Sequence, residues 1–171
     1  MKTFKEKAQL MRREYGLVWG VVLLALIMDV LPMPHWGYYY WPHWTLLTVI
    51  YWVLALPYRF NIKFAWSTGL LVDFISGNWL GQNALLYTLV AYATILLHKR
   101  LRFYMLEQMV FVAVVIGIYI LLTIWIEGVA EVGETIWNKL WSVFTSMLTW
   151  LWVYAVLRHL RRKVYYSMAQ G

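Results

Sequence analysis

Long apolar runs alternate with short polar ones along this chain, which is the pattern of a polytopic membrane protein. The runs predict six helices, at Leu17–Met33, Trp44–Leu56, Phe64–Trp79, Gln82–His98, Met109–Ile126 and Ile136–Leu157. A bilayer-spanning helix needs about 20 residues. The second run is short by that measure, and the third and fourth share the turn SGNWLGQN, so segments 44–56 and 64–79 either cross fully or re-enter. No Pro/Ser/Gly-rich linker, low-complexity tract or internal repeat interrupts the pattern. One membrane domain over residues 17–157 is expected, between a basic amphipathic leader at 1–16 and a basic tail at 158–171. The first run lacks a small-residue cleavage site, so it reads as a retained span. The expected fold class is all-α, a polytopic membrane helix bundle.

Composition strengthens this reading. Of 171 residues, 63% are hydrophobic and only 13% are charged, with 12 Trp and 13 Tyr. A soluble domain is nearer half apolar, and so few charges could not cover this much apolar surface in water. With no Cys, disulfides, thiolate metal sites and cysteine nucleophiles are excluded together. The net charge of +7 acts as a topology signal. Lys2, Lys5, Lys7, Arg12 and Arg13 precede the first run, and Arg59 and Lys63 follow the second. Lys99, Arg100 and Arg102 follow the fourth, and Arg158, Arg161, Arg162 and Lys163 follow the last. Six spans put all of these on one side, leaving Lys139 on the other with Glu127, Glu131 and Glu134. The positive-inside rule makes the basic side cytoplasmic, with both termini there. The basic residues then meet anionic lipid, and no soluble domain exists to present a nucleic-acid surface. In the leader, Phe4, Ala8, Met11 and Tyr15 recur at helical spacing, which suits a helix lying on the inner leaflet; a frayed cationic leader fits the same residues equally well.

The polar groups inside the runs carry whatever chemistry exists. In GLLVDFISGNWLGQNAL, Gly69 to Leu85, a helix stacks Gly69, Asp73 and Gly77 on one face, with Gly81 continuing the row if the helix persists. Small residues at this spacing admit a close backbone. A carboxylate in the same row then meets protein instead of lipid, at an insertion cost of about 2.5–3.5 kcal/mol. Burial would favour a neutral carboxyl acting as a donor, with Gln82, Asn83 or a backbone amide of the next helix as partner. Packing anchor, ligand or ion site, and catalysis all remain open for Asp73, in that order. Asp29, near the outer end of its run and within reach of headgroup water, is assigned a structural role first. In LPYRFNIK, Pro57 stops the second helix, Arg59 can meet phosphates, and Asn61 follows in the same cytoplasmic loop. Trp and Tyr near run ends read as interfacial belts. In the last run Trp137, Trp141, Phe144, Leu148 and Trp152 form one stripe, and Ser142, Thr145, Ser146 and Thr149 form its neighbour. The four His are scattered, without metal-pair or H-E-x-x-H spacing, and no phosphate loop or dinucleotide turn is present. No catalytic set, metal or cofactor is expected.

The ordered set YWVLALP with Arg59 and Asn61, then GLLVDFISGNWLGQNAL, then an aromatic helix ending in HKRLR resembles the MreD family of bacterial rod shape-determining proteins, in its proteobacterial form. The resemblance covers the middle third of the chain most strongly. Lys63 stands where the family pattern has a glycine, and Asn83 where it has a histidine. The resemblance implies a non-enzymatic inner-membrane subunit of the cell-elongation machinery for peptidoglycan synthesis, bound to the single-span protein MreC. Through it the subunit connects with MreB, RodA and its transpeptidase. It also implies a fold like the substrate-binding components of energy-coupling vitamin transporters, which leaves a small-molecule-binding transporter component as the alternative. Partner or helix packing then falls to Gly69, Asp73, Gly77, Gly81 and Asn83.

Overall fold

Apolar runs bounded by Gly, Pro and Asn fold into six helices among the described residues, with no strand. They are α1 (Phe4–Val30), α2 (Trp44–Ala55), α3 (Ile62–Ser76), α4 (Gln82–Leu101), α5 (Met105–Glu127) and α6 (Val132–Ser167). The computed structural model describes residues 4–31, 40–77, 79–101, 104–127 and 132–167. Side chains are described for these except 4–10, 126–127, 132–140 and 165–167. Within α5, Met105–Trp125 is long and apolar enough to cross a membrane, with a mean hydropathy of 2.3.

The short second helix is the hub. α2 packs against α1, α4 and α6, while α3 pairs with α4 and α5 with α6. Every residue from Thr45 to Leu54 is buried. Its 12 residues reach only about 18 Å, less than the roughly 30 Å of a hydrocarbon core. Pro57 lies two residues past its end, and the chain turns there through Leu56 O, which accepts from the N–H groups of Arg59 and Phe60 at 3.0 and 2.9 Å. Below α2, Phe60 joins the rings of Tyr15, Trp52 and Phe64, fixing the α2–α3 turn against α1.

Several boundaries differ from those expected. α1 continues without a break through residue 16, and α6 through residue 157. At the leader end α1 turns Glu14, Val18 and Val22 inward and leaves Met11 and Tyr15 exposed; Phe4 and Ala8 side chains lie outside the described residues. α3 stops at Ser76 instead of Trp79, because Gly77 takes the left-handed conformation (φ 67°) that glycine adopts at low cost. In α6, Trp141, Phe144, Leu148 and Trp152 face outward while Ser142 and Ser146 are buried. Trp137 lies outside the described side chains.

Candidate functional site

The α3–α4 hairpin is built on small residues. Ala65, Thr68 and Gly69 of α3 are buried, as are Ala84 and Ala91 of α4. A Cβ on Gly69 would stand 2.5 Å from Ala84 Cα and 2.6 Å from Asn83 O, so only glycine lets α4 start this close. One turn further along α3, Asp73 is 1% exposed. Its Oδ2 accepts from the N–H of Gly81 at 2.9 Å and of Ala84 at 3.2 Å, and its Oδ1 from Asn83 N–H at 2.9 Å. The first amides of a helix have no intrahelical acceptor and carry partial positive charge. Asp73 therefore caps α4 from the preceding helix. All three contacts use the carboxylate as acceptor, so the expected donor role is corrected.

The glycine row also changes meaning. Gly69 and Asp73 share the inner face of α3, but Gly77 ends the helix and Gly81 (φ 99°) shapes the entry to α4. Neither Gly77 nor Gly81 meets an atom within 4 Å of a built Cβ. Their contribution is conformational, where close packing was expected.

Asp29 performs the same service for α2. Its Oδ1 and Oδ2 accept from the N–H groups of Trp44 and Thr45 at 3.0 and 2.9 Å. The residue at the N-cap position, His43, makes no side-chain cap, so the acceptor comes from α1. The structural role expected of Asp29 is thus that of a half-buried cap. At the other end of α2, Arg161 Nη1 donates to Ala55 O at 3.2 Å. Opposite charges thus meet both poles of the central helix.

A polar seam links the two caps. Asn83, 2% exposed, accepts through Oδ1 from Tyr119 Oη at 2.6 Å, tying α4 to α5. The Tyr119 ring packs on His43 and Tyr87, at centroid distances of 5.2 and 6.2 Å. The His43 N–H donates to Ser146 Oγ at 3.2 Å, bringing in α6. Buried Tyr87 lies within electrostatic reach of both Asp29 and Asp73. Chemically this is a set of acceptors filled by backbone amides and by the Tyr119 hydroxyl. No group of three or more potential metal-ligating side chains occurs among the described residues.

The opposite end carries the basic residues. Arg59, expected at lipid phosphates, instead pairs with Glu14, which is 4% exposed. Asn61 caps α3 by accepting from Lys63 N–H at 3.1 Å. Arg100 pairs with Glu107 at 3.5 Å, and Arg158 stacks 5.9 Å from the Tyr154 ring centre. Arg12, Arg13, Lys99, Arg100, Arg158, Arg162 and Lys163 are exposed and Arg161 is half-buried. Lys2, Lys5, Lys7 and Arg102 lie outside the described side chains. Sequence reasoning missed Glu14, Gln108 and Tyr119. For Glu14 a signal existed: positions 14, 18, 22, 25 and 29 form a single inward row on α1.

An all-helical bundle with buried carboxylates at its helix entries and a bilayer-length apolar helix defines a membrane protein organised by internal polar anchors. A family model described as rod shape-determining protein MreD matches residues 11–160. The Rod shape-determining protein MreD of Haemophilus influenzae (strain ATCC 51907 / DSM 11121 / KW20 / Rd) is 30% identical over 163 residues, spanning 90% of this chain and 98% of the relative. The chain belongs to the MreD family. No solved structure matches it.

Proposed function

We propose that this protein is a non-enzymatic multi-pass subunit of the bacterial cell-elongation complex, in the inner membrane with both termini cytoplasmic. It supports peptidoglycan synthesis and rod shape by binding a single-span partner of the MreC type, and through it RodA, its transpeptidase and MreB. Family membership over residues 11–160 supports the role in shape, and the one-sided distribution of basic residues supports the orientation. The observation that favours a scaffold is the state of Asp73. Both its oxygens are engaged by three backbone amides, which leaves the carboxylate committed to holding α3 on α4. The alternative, a small-molecule transporter component, draws little support from cavities of about 10 and 70 Å³, against roughly 300–1,000 Å³ for small-molecule sites.

The test is mild-detergent purification of the tagged protein from its host, with the stoichiometry of whatever co-purifies. A near-stoichiometric single-span periplasmic partner supports the scaffold. A lone chain stabilised by a small molecule would move the assignment to the transporter. Because Gly69 contacts Ala84 of its own chain, loss of the partner on Gly69→Leu would report a collapsed hairpin. Interface mapping needs outward-facing positions.

A further inference from the structure

At the basic end, α2, α5 and α6 enclose a cavity of about 70 Å³ lined by Tyr51, Leu54, Ala55, Gln108, Tyr154 and Arg161. This is room for several water-sized groups. Its polar walls are unevenly served. Gln108 is fixed: Nε2 donates to Leu101 O at 2.7 Å, and Oε1 accepts from Trp150 Nε1 at 3.3 Å. Tyr51 is 1% exposed, and its hydroxyl is buried without a hydrogen-bond partner. Its ring is held between Trp52 and Tyr154, at 5.2 and 5.6 Å, so the hydroxyl cannot swing away to find one. Arg161 spends one N–H on Ala55 O, and a guanidinium carries five.

Charge around this cavity is one-sided. Arg161, Arg158 and Arg162 all lie within electrostatic reach of the Tyr51 hydroxyl. The ion pairs among the described residues are Arg59–Glu14 and Arg100–Glu107, so none of these three arginines has a carboxylate partner there. Glu14 and Arg161 both line a smaller, separate void, where the ion pair Glu14 makes is with Arg59. A buried hydroxyl donor, a guanidinium with spare donors and unneutralised positive charge are what a phosphate oxygen requires.

We propose that this cavity is a phosphate-binding site, with Arg161 and the Tyr51 hydroxyl as its ligands. The phosphate comes either from the headgroup of an anionic phospholipid at the bundle surface or from free phosphate. Bound there, it would neutralise the arginine cluster at the C-terminal pole of α2. This site is independent of the scaffold reading.

The test uses the full-length protein in a neutral detergent, with melting temperature and bound phosphorus as readouts. The probes are dioleoylphosphatidylglycerol, dioleoylphosphatidylcholine and inorganic phosphate. The variants are Tyr51→Phe, Arg161→Gln and, as an equal-charge control, Lys63→Gln. Saturable stabilisation by phosphatidylglycerol, not by phosphatidylcholine or inorganic phosphate, identifies a lipid headgroup. Saturable stabilisation by inorganic phosphate identifies the free ion. In either case Tyr51→Phe should weaken the midpoint about tenfold, the value of one hydrogen bond to a charged group, while Lys63→Gln leaves it unchanged. If Arg161→Gln fails to fold, Tyr51→Phe still decides. Should no probe stabilise the protein, or should Tyr51→Phe respond like the wild type, the site is overturned; in that case the variant should melt higher, having lost an unsatisfied buried hydroxyl.

Discussion

Asp29 and Asp73 sit near the ends of α1 and α3, and each reaches forward to the amides that open the next helix. They differ in span and depth. Asp29 closes a long connection and holds two amides from a half-buried position, whereas Asp73 closes a five-residue turn and holds three from a fully buried one. At the basic end α3 opens differently, with Asn61 capping it locally. A helix that begins beside water can use its own polar N-cap or solvent. One that begins deep in a bundle needs an acceptor delivered by its neighbour, and a carboxylate supplies two oxygens at once. Both aspartates here mark a helix entry.

This comparison breaks most decisively at Gly69. Gly69→Ala places a Cβ against Ala84 backbone, which has no flexible side chain to yield. A loss of about 3 kcal/mol or more is expected, read as a collapse of thermal or denaturant stability in detergent. Next comes the contrast between the carboxylates. Asp73→Leu strands three amides, those of Asn83 and Ala84 buried, and should cost about 3–5 kcal/mol. Asp29→Leu strands two in a wetter setting and should cost about 1–3 kcal/mol. Equal losses would remove burial as the distinction. Asp73→Asn keeps one acceptor oxygen and should fall between wild type and Asp73→Leu.

Smaller effects sharpen the same picture. Gly77→Ala and Gly81→Ala meet open space but require positive φ, so each should cost about 1–2 kcal/mol, with Gly77→Asn milder. Tyr119→Phe removes the 2.6 Å bond to Asn83 and should cost about 1 kcal/mol. Gly20→Ala, on the open side of α1, should leave melting nearly unchanged. If it destabilised as much as Gly69→Ala, steric contact would not explain the hairpin.

Hydropathy alone marked the six helices and their order, because apolar length and polar punctuation are local properties. It also singled out Asp73 and its glycines, since a charge in an apolar run is conspicuous in one dimension. The sharing of roles within the row was not readable. Gly69 and Gly81 look alike in the sequence, yet one admits a neighbour's backbone and the other supplies a backbone angle. Lys and Arg positions divided the chain into two sides. They did not reveal that Arg59 would pair with Glu14, because that pairing depends on α1 lying beside the α2–α3 turn.

What the chain by itself determined, then, is an all-helical membrane bundle of the MreD family with a carboxylate in its third helix. Only the tertiary structure decided that α2 would be the hub, that Asp29 and Asp73 would serve as caps for the following helices, and that Arg161 would close the far pole of α2. The physical reason is that a helix end leaves its amides and carbonyls unpaired wherever it falls. Which side chain answers them depends on which helix the packing brings alongside.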